Sequence, residues 1–185
     1  MWLSQAPGTG GVLSSVALEG YLAGFEQSGK SWRSYISSAF PRFHDIHQKD
    51  NVRNYWGYLG DRNGDTLRDS LRRALTNQSA IVQIVTWNDF GEGTVVEPTV
   101  EYGYRDLGII QDFRRQFADA AFPCSTNDLT LATRLYHLRR RHGTNAAITA
   151  ELDHIFASIA TNNLPVAGRA ITRLESSPEV GNGPP

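Results

Sequence analysis

Thiol chemistry has almost no material in this chain. Cys124 is its single cysteine, which excludes an internal disulfide and any zinc site built from several cysteines. A charge excess of either sign is also missing: 18 Lys and Arg stand against 19 Asp and Glu, a net charge of -1. General binders of nucleic acid or of anionic membranes carry a marked basic excess, so neither partner is expected. No apolar run approaches the roughly 20 residues of a spanning helix. The start, MWLSQAPGTGG, lacks the charged lead and apolar stretch of a secretory signal. A truncated start would read the same way, so localisation stays open between cytoplasmic and secreted.

What is present suits a folded protein. The 185 residues are 40% hydrophobic and 20% charged, enough for one ordinary domain or a domain with a small appendage. Residues 14–28 carry Leu18, Tyr21, Leu22 and Phe25 at helical spacing, with Ser14 or Ser15 to cap the start and Gly29 to end it. SYISSAF, 34–40, has strand character and stops at Pro41. The stretch 41–64 is long for a connection and rich in aromatics (Phe43, Tyr55, Trp56, Tyr58), which predicts an ordered, functional loop. A helix follows from Asp65, with Thr66 and Asp69 spaced as a capping box and Leu67, Leu71, Ala74 and Leu75 as its stripe. AIVQIVTW, 80–87, shows little alternation, which predicts a strand buried on both faces inside a parallel sheet. A helix over 104–120 would turn Leu107, Ile110, Phe113 and Phe117 inward.

Strand and helix alternate to this point, the mark of α/β construction. After Pro123 three helical stretches follow without a strand, at 128–142, 145–160 and 163–175. Their apolar lines are Leu131, Leu135 and Leu138; Ile148, Leu152, Ile155, Phe156 and Ile159; and Leu164, Ala167, Ile171 and Leu174. The tail SSPEVGNGPP is expected to be disordered.

The chemistry concentrates in TWNDFGEGTVVEPT, 86–99. In parallel α/β folds functional groups sit at the C-terminal ends of strands. Asp89 and Glu92 stand three apart there, in a turn flanked by Gly91 and Gly93. Two carboxylates at one mouth can divide acid and base roles, as glycosidases do around the scissile bond. Trp87, Trp56 and Tyr58 suit the C–H faces of sugars, and Asn88 can hydrogen-bond a hydroxyl. The bland alternative is that acidic residues after a strand cap the next element or face water. Glu97 joins the substrate-binding candidates, not the catalytic pair. His44, Asp45 and His47 form an H-D-x-H spacing, but with no third ligand cluster in the sequence no metal or cofactor is expected. His44 and Asp45 are read instead as sugar-binding groups, and His44, Trp56 and Tyr58 are expected to share a cleft with Asp89. DRNGDTLRD, from Asp61, fails the calcium-loop pattern at Thr66 and Arg72. LRRRH, 138–142, reads as a solvated helix end.

TWNDFGEGTVVEPTVEYGY resembles the end of the catalytic barrel in bacterial proteins similar to glycoside hydrolase families 71 and 99. Those families carry a WN-[DE]-x-x-E segment at a late strand end, often followed by G-T-x-x-E-P. They include endo-α-1,3-glucanases and endo-α-mannosidases. SAFPRFHDIH and YWGYLGDRNGDTLRDSLRRAL resemble the preceding segments of the same group, so the likeness covers about 30–118. It implies hydrolysis of O-glycosidic bonds in an α-linked polysaccharide or oligosaccharide, with Glu92 as general acid/base and Asp89 assisting the nucleophile; the isolated 185-residue chain is expected to show little or no turnover. Asp89 and the following Phe90-Gly91 lean toward the glucanase pattern, and Gly93-Thr94 and Glu97-Pro98 toward the mannosidase pattern.

The expected architecture is the C-terminal portion of a (β/α)8 TIM barrel, incomplete, over 1–122. A helical appendage over 123–176 and a tail over 177–185 follow. A whole barrel takes about 250 residues, and only two strands and a third near Trp2 are legible. The remaining N-terminal part of the barrel is then an expected partner, beside the carbohydrate substrate. The competing expectation is a remnant that binds sugar or protein without catalysis.

Overall fold

The computed structural model describes residues 12–46, 57–77, 79–142 and 145–176. His47, Tyr55, Trp56, the strand sought near Trp2 and the tail after 176 lie outside these residues. The chain divides into two units, Met1–Phe122 and Pro123–Pro185.

The first unit runs α1 (Ser15–Gly29), β1 (Ser37–Ala39), β2 (Phe43–His44), β3 (Tyr58–Leu59), α2 (Asp65–Thr76), β4 (Val82–Ile84) and α3 (Arg105–Phe117). Ser14 caps α1 by accepting the Ala17 N–H at 3.1 Å. Of the expected stripe only Leu18 is buried, and Tyr21 is exposed. The helix is held instead by Arg73, which pairs with Glu19 and Glu26, and by the Phe25 ring edge-on to Trp32 and Tyr35.

β1 and β4 pair in parallel, Ser37 opposite Val82 and Ala39 opposite Ile84, with α2 between them in sequence. The core gathers Ala39, Leu67, Leu71, Ile109 and Phe113, with Leu75, Val82, Ile84 and Ile110 against them. This is α/β construction over Ser37–Phe117. Three expectations need correction. The two-faced burial of 80–87 is not found: β4 has one strand neighbour among the described residues, Gln83 is exposed, and Ile81 is 59% exposed. The capping box is also absent. Gly64, at φ +89, starts α2 at Asp65, so Thr66 falls inside the helix and donates to the Gly60 carbonyl at 2.6 Å. Asp69 accepts from Arg62 and Arg72 instead. Finally, α3 buries Asp106, Ile109 and Phe113, while Leu107 is half-buried and Phe117 exposed. The buried face is the one that delivers Asp106 to Arg42.

The second unit holds α4 (Leu131–His142), α5 (Ala146–Ala160) and α6 (Leu164–Ser176). Asn145 caps α5 by accepting from the Ala147 and Ile148 N–H groups. Leu131, Leu135, Leu138, Leu152, Ile155, Ala167, Ile171 and Leu174 make one core. Phe156, expected inward, is exposed: α5 turns Leu152 and Ile155 to the core, and the residue after Ile155 points away.

Candidate functional site

β4 leads into a loop over 86–97 that folds back on itself like a hairpin, without forming strands. The Val85–Thr86 peptide is cis. The base of the hairpin is closed by hydrogen bonds from Thr86 N–H to Thr94 O at 2.8 Å, from Val96 N–H to Thr86 O at 3.1 Å and from Glu97 N–H to Trp87 O at 2.9 Å. The hydroxyls of Thr86 and Thr94 meet at 2.9 Å. Within the hairpin the motif supplies its own turn chemistry. The Asp89 N–H donates to Thr86 Oγ1 at 3.1 Å, and Asp89 Oδ1 accepts the Glu92 N–H at 2.9 Å. A short carboxylate that reaches backbone donors a few residues on favours a turn over continued strand. Gly93 then reverses the chain at φ +64, and a Cβ there would stand 3.2 Å from the His44 Cβ.

That close approach lets β2 dock on the turn. The His44 N–H donates to the Glu92 carbonyl at 2.8 Å, and the Ile46 N–H to that of Gly91 at 3.2 Å. β2 also pairs antiparallel with β3, His44 opposite Tyr58, and their rings meet edge-on at 5.3 Å. Phe43–His44 and Tyr58–Leu59 thus give strand pairing inside what the sequence offers only as a loop. The turn, His44 and Tyr58 form one neighbourhood. Trp87 and Phe90 are 52% and 59% exposed. Asn88 is exposed, and Asp89, Glu92, His44 and Glu97 are half-buried. Asp45 differs from its neighbours: at 2% exposure its carboxylate has almost no open surface to offer a ligand. Trp56 lies outside the described residues. A groove of about 910 Å³ between α1 and α2 is lined by Leu18, Glu19, Arg62 and Arg73 among others, and by none of the motif residues.

Sequence reasoning missed Arg42, Tyr102 and Asp106, which underlie the hairpin. Arg42 donates to the Val95 carbonyl at 2.6 Å and pairs with Asp106, and its guanidinium lies 3.6 Å from the Tyr102 ring centroid. Read singly, an Arg after a proline and an Asp in the first turn of a helix look like solvated charges. Only their meeting across 64 positions gives them a role.

The arrangement offers two carboxylates in one turn, ring faces open to solvent, and amide and imidazole groups beside them. This is chemistry suited to holding a polyhydroxylated ring and moving a proton.

No protein-family model matches the chain, and no curated protein matches it. Among solved structures it is similar to a GH99 endo-α-mannosidase from Bacteroides thetaiotaomicron in complex with bis-tris propane. The identity is 18% and the TM-score 0.40, over 56% of this chain and 37% of that one. A second structure of a GH99 endo-α-mannosidase from the same organism matches at 20% identity and TM-score 0.40, over 55% of this chain and 35% of that one. The chain thus spans little more than a third of the length of these structures.

Proposed function

We propose that the 86–97 hairpin is the carboxylate-bearing mouth of a glycoside hydrolase acting on O-glycosidic bonds of an α-linked polysaccharide or oligosaccharide. Glu92 is the general acid/base, protonating the leaving glycosidic oxygen, and Asp89 is its partner at the oxocarbenium-like centre. Trp87 and Tyr58 offer ring faces to the sugar, and Asn88 and His44 bond its hydroxyls. Glu97, whose N–H bonds the Trp87 carbonyl, stays a substrate-binding candidate, as does Trp56 on residue type alone. Asp45 is left out of the sugar-contacting set because of its burial.

One observation carries the reading. A hairpin directly after a parallel strand presents two carboxylates three residues apart beside the exposed Trp87 and Phe90, at the end of the strand where such folds place their chemistry. The β1–α2–β4–α3 run is read as the C-terminal part of a (β/α)8 barrel. Support comes from β4, whose uncharged segment 79–87 leaves the apolar Ile81 exposed on a sheet edge that folded proteins normally cover. A second reading, sugar binding without turnover, draws on a specific bond: Asp89 Oδ1 already accepts the Glu92 N–H.

The test is oligosaccharide release from α-1,3-glucan and α-mannan by the complete barrel that carries this chain and by its Glu92→Gln variant, with binding measured in parallel. Gln keeps shape and hydrogen bonding but removes the transferable proton, so release should fall about 10²–10⁴-fold with binding largely kept. Parent-like release by Glu92→Gln would sink its assignment. Binding without release in the parent favours the second reading, and neither binding nor release refutes both.

A further inference from the structure

We infer that Arg42 and Asp106 form a buried clamp whose task is to position the motif turn against His44; the functional weight of this rests on the carbohydrate reading of the turn. Arg42 precedes β2 and is 5% exposed, and Asp106 in the first turn of α3 is 3% exposed. The guanidinium donates through Nη1 to the Val95 carbonyl at 2.6 Å and through Nη2 to Asp106 Oδ2. Tyr102 carries its ring beneath that guanidinium. The other oxygen of Asp106 accepts from Arg105 Nε at 3.0 Å, and Arg105 pairs with Asp61 at 2.8 Å. Four segments therefore meet: the lead-in to β2, the closing arm of the hairpin, the start of α3 and the chain after β3.

A buried ion pair is a poor way to gain stability. Its desolvation offsets much of the attraction, and apolar groups of similar volume often serve as well. What a guanidinium adds is a set of directed donors at fixed angles. Here one of them fixes Val95, the residue after Thr94, whose backbone and hydroxyl close the hairpin on Thr86. Two residues beyond Arg42, the His44 N–H holds the Glu92 carbonyl. Arg42 thus grips both sides of one seam, the hairpin arm through its side chain and β2 through the main chain. A site whose carboxylates must be placed closely depends on such supporting bonds.

Two variants of the full chain test this: Arg42→Lys, which puts one ammonium in place of the two separate nitrogens that bond Val95 and Asp106, and Arg42→Met with Asp106→Leu, which replaces the pair by apolar groups. The readout is residue-resolved amide exchange in chains shown to be folded by circular dichroism. The N–H groups of Glu92, His44 and Ile46 should exchange at least about tenfold faster, while those of Leu71 and Phe113 keep their parent rates. Parent rates at the motif amides in either folded variant overturn the clamp. So does a uniform acceleration of all amides, or failure of both variants to fold, since each marks a pair that serves stability alone. Oligosaccharides from α-mannan and α-1,3-glucan are titrated in parallel. A parent that binds neither refutes the carbohydrate reading while the exchange data still decide the clamp. If the parent binds, affinity should fall at least about tenfold in the loosened variants, and unchanged affinity there would remove any role for the clamp in the site.

Discussion

The backbone N–H of Glu92 donates to Oδ1 of Asp89 at 2.9 Å, so the first carboxylate of the motif holds the turn that carries the second. Structural and chemical duties of Asp89 can therefore be separated. Asp89→Asn keeps an oxygen at the accepting position, and Asp89→Ala removes it. Asn should leave stability within about 0.5 kcal/mol of the parent, and Ala should cost about 1 kcal/mol, the net worth of one hydrogen bond. Under the proposed function both lose activity, because only the carboxylate can hold charge opposite the sugar. Urea denaturation of the two variants checks the first claim. Equal losses for Asn and Ala would mean that the charge, not the oxygen, holds the turn.

Gly93 faces two constraints at once. Its φ of +64 lies where a side chain is strained, and a Cβ would come 3.2 Å from that of His44. Gly93→Ala should destabilise by about 1–3 kcal/mol. Asn tolerates the left-handed region better than Ala, so Gly93→Asn should cost less. Chemical-denaturation midpoints decide: equal costs would put the contact with His44 ahead of the backbone term, and a neutral Gly93→Ala would contradict the geometry.

The parts legible in the sequence were those whose cause is local. The helices follow from spacing within a few residues, and β4 from the Ile and Val run between turn signals; its parallel pairing with β1 is a contact that the run itself does not carry. Lack of alternation in that run records apolar side chains, not what covers them; Ile81 is apolar and 59% exposed. The inward face of α3 has a different cause. Asp106 is charged, and its burial is compensated by two guanidiniums, that of Arg105 beside it and that of Arg42, 64 positions away. The motif carboxylates were visible from spacing at a strand end. The service of Asp89 as a turn acceptor, and the docking of His44 on the turn, depend on contacts that spacing does not carry.

The helical unit gives a direct contrast between spacing and burial. Leu152 and Phe156 lie one turn apart on α5, yet Leu152 is in the core and Phe156 is exposed. Leu152→Ala should cost about 2–5 kcal/mol through lost burial and the cavity left behind. Phe156→Ala should stay within about 0.5 kcal/mol. Thermal melts followed by far-ultraviolet circular dichroism compare them, and comparable losses would place Phe156 in the core after all.

Acid should weaken the same unit through Glu175. Arg134 grips it with two parallel bonds, Nε to Oε1 at 2.9 Å and Nη2 to Oε2 at 2.6 Å, the fork geometry that suits a carboxylate. The hydrogen bond from Arg134 holds the Glu175 carboxyl below its ordinary value against the opposing effect of burial, with the charges of Arg134 and Arg141 adding to it. A folded-state value below the unfolded one means that the unfolded chain takes up the proton more readily. The contribution is therefore complete above the ordinary carboxyl range, about 4.3, and is lost as pH falls through the depressed folded value. The Glu175 side chain is 37% exposed, so solvent screening holds the effect below about 1 kcal/mol. Melts of the parent and of Arg134→Met from about pH 7 to about pH 3 should show a difference that shrinks on acidification. A difference that stays constant with pH would assign the contribution to packing of the arginine stem and not to the ion pair.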